Sequence, residues 1–142
     1  MKRLFCCVCL IFLFSGQVHA REPLAATVEV LAKSSSSWNG DTLPEYADGR
    51  PEVTILRIAI PPGVRLPLHM HPVINAGVMT KGELTVTTEE GQVLHLRAGE
   101  PVVEVVDVWH YGKNEGEETA EIIVFYAGIQ GKPITVKATG EK

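Results

Sequence analysis

The sequence predicts an all-β domain, a sandwich or closed barrel of short strands, and three observations carry that prediction. From Glu52 onward the chain is a series of short runs rich in Val, Ile and Thr, residues that suit the pleated, half-buried surface of a sheet. Gly, Pro, Asn and acidic pairs interrupt those runs roughly every 8 to 12 residues, the turn spacing of sandwiches and barrels. After Ala20 no stretch of useful length carries apolar residues at the helical period.

The first twenty of the 142 residues stand apart. Lys2 and Arg3 give a positive start, residues 4–14 are an unbroken apolar run, and Val18-His19-Ala20 ends the segment with small residues at its outer positions. That pattern is a secretory signal peptide. The run is short for a bilayer span and no second one follows it, so the expectation is an exported product, periplasmic or extracellular, without a membrane anchor after cleavage. The remaining length supports one domain.

Residues 21–50 read as an N-terminal strand followed by an aromatic loop. The strand is placed at residues 27–31, before the polar run Ser34 to Ser37. Residues 38–50 hold turn formers at Asn39-Gly40-Asp41, Pro44 and Asp48-Gly49. Trp38 and Tyr46 in this loop are expected to pack down on the barrel rim or a ligand. The barrel itself is assigned to residues 51–137. Its strands are expected at 53–60, at the His69-Met70-His71 stretch, and at 73–80, 83–88, 92–97, 102–106, 109–113, 119–127 and 134–137. Residues 138–142 form a tail.

Charge and cysteine usage exclude whole function classes. Without Lys2 and Arg3, eleven basic residues face 17 acidic ones, leaving about −6 at neutral pH. Nucleic-acid binding needs clustered Lys and Arg, which are absent. Cys6, Cys7 and Cys9 all lie in the leader, so the mature chain has no disulfide and no thiol nucleophile, which suits an oxidising compartment. No serine sits in a nucleophile-elbow setting either.

The chemistry centres on histidine. His69 and His71 are one residue apart, and in an extended strand that spacing turns both imidazoles to one face. His110, in a second strand-and-turn segment, meets them if the sheet curls closed. Three neutral imidazoles in one cavity make a site for a divalent transition metal, whether Fe, Mn, Ni, Cu or Zn. His95 alternates with Leu94 and Leu96 and reads as a surface residue. Trp109 and Tyr111 should face away from His110 and pack. Met79, Phe125 and Tyr126 are candidate pocket residues, each equally consistent with plain core.

Two longer patterns carry a resemblance. Gly63-x5-His69-x-His71-x3-Asn75-x6-Gly82 resembles the first motif of the cupins, and Gly99-x5-Val105-x-Asp107-x2-His110-x3-Asn114 resembles the second. The resemblance covers about residues 52–126. It implies a double-stranded β-helix, the jelly-roll barrel of that superfamily, with metal ligands at His69, His71, Asn75 and His110. Asn75 stands where the motif usually has glutamate, and Val105 and Asp107 where it has proline and glycine. An uncharged amide leaves the metal its full positive charge, which weakens binding or sharpens Lewis acidity. Small cupins are often dimers, and exposed apolar edges at residues 24–31 and 134–136 point the same way.

Glu104 is the candidate to compensate. It lies inside Val102-Val103-Glu104-Val105-Val106, where a charge must be exposed, paired or ligating. An unbroken strand to His110 would put residues 104 and 110 on one face, although Asp107 can break that parity; a solvated outer face is the other reading. If it points inward, Glu104 is the general base or an extra ligand. Two functions follow from the chain. One is a small exported metalloenzyme of oxygenase or isomerase/lyase type. The other is a binding module for a small ligand, a sugar or a carboxylic acid, without turnover.

Overall fold

The computed structural model describes residues 25–139, and the signal-peptide reading falls outside them. Among these described residues nine strands run in chain order: β1 Pro51–Ile60, β2 His69–Met70, β3 Asn75–Lys81, β4 Glu83–Thr88, β5 Val93–Arg97, β6 Pro101–Val103, β7 His110–Lys113, β8 Ala120–Ile129 and β9 Val136–Lys137. No helix occurs among the described residues, and so none there is long and apolar enough to cross a membrane.

The strands form two antiparallel sheets, ordered β1-β8-β3-β6 and β5-β4-β7-β2-β9. β1 and β8 pair along their whole length, from Pro51 opposite Ile129 to Ile60 opposite Ala120. β8 shows why the sequence closes this way: its even positions, Ala120, Ile122, Val124 and Tyr126, are buried between the sheets while its odd positions face outward. Period-two alternation of this kind fixes the register, because a slip by one residue would expose the whole apolar set. Ile60, Val73, Met79, Leu84, Val86, Leu96 and Val102 complete the core. Each such side chain contributes about 1.5–3 kcal/mol by leaving water.

Several turns depend on glycine at the ends of the two cupin-like patterns. Gly82 joins β3 to β4 with φ 67°, and an added Cβ there would lie 3.0 Å from the Ala120 Cα. Asn114 closes the turn after β7. Its Nδ2 donates to the carbonyls of Ile60 and Glu118, both at 2.8 Å, and its Oδ1 accepts from the Gly116 amide at 2.9 Å.

The structure corrects four expectations. Residues 27–31 form no strand: they are exposed, Val28 at 91%, because no strand among the described residues pairs with them, and propensity alone does not make a strand. The strand expected over 102–106 stops at Val103. Beyond it the Glu104 carbonyl accepts the Ser37 hydroxyl at 2.8 Å, the Asp107 amide donates to His71 O at 2.9 Å, and Asp107 itself takes a left-handed φ of 56°. The last strand shrinks to Val136–Lys137. Tyr46 is 81% exposed and does not pack down, whereas Trp38 does: its amide donates to Val103 O at 2.9 Å and its ring lies against the core.

Candidate metal centre

The histidines reach one point through pairing as much as through parity. β2 is only two residues long, yet it sits between β7 and β9, and His69 lies directly opposite His110 across the β2–β7 ladder. His71 follows where the chain leaves β2. The ring centroids are 4.5 Å apart for His69 and His110, 4.9 Å for His69 and His71, and 5.1 Å for His71 and His110. One nitrogen from each ring lies within 4.8 Å of the other two.

Each ring is anchored from behind by a backbone carbonyl. His69 Nδ1 is 2.7 Å from Pro67 O, His71 Nδ1 is 2.9 Å from Ile134 O, and His110 Nδ1 is 2.8 Å from Val108 O. The Thr135 hydroxyl stands 3.2 Å from the same nitrogen of His71. A carbonyl oxygen only accepts, so each Nδ1 must carry the proton and donate. That fixes the tautomer and leaves each Nε2 lone pair bare toward the cavity, as a second shell does in histidine metal sites.

Burial reinforces neutrality. It pushes the His71 imidazole down to about 4, with the neighbouring His110 and His69 adding to the shift and the Ile134 carbonyl opposing it. Burial also lowers His69 and His110 below the usual imidazole value, each partly offset by its own carbonyl partner. Three lone pairs facing one another with no proton between them are mutually repulsive, and a cation is what relieves that arrangement.

Two oxygens complete the site. Asn75, the first residue of β3, is 1% exposed; its Nδ2 donates to Val73 O at 3.3 Å and its buried Oδ1 has no hydrogen-bond partner. Glu104 points inward: its Oε2 lies 3.7 Å from His110 Nε2 and is otherwise without a partner. Burial raises the Glu104 carboxyl to about 7, against the lowering influence of His69 and the Val105 amide. Tyr126 packs against His71 with ring centroids 5.3 Å apart, and burial with the nearby Glu104 pushes its phenol to about 12.

Comparison with known proteins now decides the family: the family model for the cupin domain matches residues 56–126. The chain belongs to the cupin family. Its fold is similar to that of a double-stranded β-helix protein from Klebsiella pneumoniae (21% identity over 68% of this chain and 93% of that one, TM-score 0.54). It is also similar to the DMSP lyase DddQ from Ruegeria pomeroyi (20%, 63% and 45%, 0.54) and to an oxalate decarboxylase from Lactobacillus farciminis (19%, 60% and 26%, 0.52). At these identities the likeness is one of fold. No curated protein sequence matches this cupin.

The structure thus gathers His69, His71, His110, Asn75 and Glu104 around one cavity of about 50 Å³. Of the three apolar candidates only Tyr126 lines it; Met79 is in the core and Phe125 faces outward. His95 is exposed, its Nδ1 3.0 Å from the Thr85 hydroxyl. Arg65 stacks on Tyr111, 3.9 Å from the ring centre. The cavity wall is aliphatic and comes from β1, β4 and β8 through Ile58, Ile60, Leu84, Val86, Ile122 and Val124, with Leu66 from the loop before β2. Sequence reading missed this wall and the three anchoring carbonyls. The wall was visible only as generic strand residues, and a carbonyl leaves no mark in a sequence.

Proposed function

We propose that this cupin is an exported metalloenzyme in which His69, His71 and His110 hold a divalent transition metal through Nε2. The observation that carries the reading is the set of three rings, His71 and His110 buried and His69 half-buried, each locked at Nδ1 by a carbonyl and presenting its bare nitrogen to a shared cavity. The metal, when bound, supplies Lewis acidity or redox chemistry to an oxygen-bearing ligand. The protein supplies the rest. Glu104 stands beside His110 to hold or release a proton, Asn75 offers a neutral oxygen, and the aliphatic wall excludes water.

The cavity limits what can react. A volume near 50 Å³ has room for only a few water-sized groups, and neither Lys nor Arg lines it. The fitting ligand is small, with one oxygen-bearing head for the metal and a short apolar body. A sugar ring is too large for that volume, so the non-catalytic reading narrows to a small acid or alcohol. The lyase and the decarboxylase of similar fold support an acid substrate without specifying it. The test is to load the purified protein with Fe, Mn, Co, Ni, Cu or Zn and assay a panel of short-chain acids and hydroxy acids. Turnover with one metal that disappears in His110→Ala supports the enzyme; saturable binding without turnover selects the binding module.

The same proposal extends to location and assembly. The leader at residues 1–20 directs export, to be checked by N-terminal sequencing of the secreted product. The outer face of the four-stranded sheet carries Ile55 directly opposite Phe125, 64% and 44% exposed, with Ala76 the next partner across. An apolar row of this kind suits a homodimer interface.

A further inference from the structure

We propose that Glu104 provides the negative charge of the metal centre, replacing from the neighbouring chain segment the carboxylate that the first cupin motif would place at position 75. The inference rests on the metal reading above and concerns how this chain keeps its charge balance. The two residues are neighbours in the sheet. The Glu104 amide donates to the Asn75 carbonyl at 3.1 Å, immediately past the β3–β6 ladder, so their side chains leave adjacent points of the backbone. Both line the same cavity, and each presents to it one buried oxygen without a hydrogen-bond partner among the described residues, Asn75 Oδ1 and Glu104 Oε2.

A carboxylate held for structural reasons would be expected to spend both oxygens on hydrogen bonds. Here Oε2 is kept bare, 3.7 Å from His110 Nε2, a separation close to that between neighbouring ligands of one ion. Val102 and Glu104 are both buried with Val103 half-buried between them, so alternation from β6 carries residue 104 inward, the Ser37 hydroxyl holds its carbonyl, and the left-handed Asp107 turns the chain before His110 reaches the same cavity. Asn75 alone would leave three neutral nitrogens and a neutral oxygen around a dication; Glu104 restores one negative charge from one strand away.

The experiment is calorimetric titration of Co2+ and Zn2+ into the metal-free full chain, comparing wild type, Glu104→Gln, Asn75→Glu and the double variant Asn75→Glu/Glu104→Gln. The expected result is about 10- to 100-fold weaker binding in Glu104→Gln, the scale on which outer partners tune metal affinity. The double variant should recover to within a few-fold of wild type, since the carboxylate has only moved back. A merely structural Glu104 would not be rescued by a carboxylate at position 75. Metal-free Glu104→Gln should melt no lower than wild type; should it misfold, Glu104→Leu replaces it with the same expected loss. Unchanged affinity in Glu104→Gln, or a double variant no tighter than Glu104→Gln, overturns this inference alone. A wild type that binds neither ion overturns it together with the metal reading.

Discussion

At the level of single residues, His69 and His110 are fixed twice, once by the strand that carries each and once by a carbonyl behind its Nδ1, and His71, just past β2, is held by the Ile134 carbonyl behind its own. Replacing His69 or His110 by Ala removes one nitrogen of three, and stoichiometric metal retention should fall to a trace on elemental analysis, with the circular dichroism of the sheet intact. Asn114 holds a different kind of position. It is fully buried and makes three hydrogen bonds to the Ile60, Glu118 and Gly116 backbone. Asn114→Ala would orphan those groups at about 1–3 kcal/mol each, less whatever water recovers, so urea unfolding should show a loss of ~2–4 kcal/mol. The histidines and Asn114 were readable because parity and turn chemistry are local rules. Glu104 was legible only as a question, since counting back from His110 crosses the left-handed Asp107, and the contacts that hold this segment, Ser37 on the Glu104 carbonyl and Asp107 on the His71 carbonyl, come from elsewhere in the chain.

At the level of elements, the sequence located every strand of the barrel from β1 to β9, because β-branched runs between turn formers are a strong signal. Their ends were less certain. β2 keeps two residues and β9 two, because each survives only where a partner passes. Residues 27–31 have the composition of a strand and no partner strand among the described residues. Close approach between β3 and β8 gives a prediction of its own: a Cβ on Gly77 would lie 2.9 Å from the Ile123 carbonyl oxygen. Gly77→Ala must push the central pair of the four-stranded sheet apart, costing ~1–3 kcal/mol in a urea titration. The same change at Gly91, where nothing lies within 4 Å of the added carbon, carries only the left-handed backbone penalty of about 1–2 kcal/mol.

For the molecule as a whole, the two sheets enclose a core at one end and a small polar-headed cavity beside it, so fold and site share the same walls. Metal binding should therefore stabilise the entire domain. At a free metal concentration a hundred times Kd the gain is about 2.7 kcal/mol, seen as a rise of several degrees in Tm that EDTA reverses. The apolar outer face makes a second prediction at this scale. Wild type should sediment as a dimer and Ile55→Glu as a monomer, with the metal content of both unchanged because that face lies opposite the cavity side of the sheet. A wild-type monomer would remove the interface without touching the centre.

The central claim is that His69, His71 and His110 grip one ion, and elemental analysis of the purified full chain beside its His110→Ala variant tests it most directly. The account predicts close to one transition-metal ion per chain in the wild type, retained through dialysis, and none in the variant. A wild type that holds no metal, and takes up none when refolded in excess Fe, Mn, Co, Ni, Cu or Zn, contradicts it.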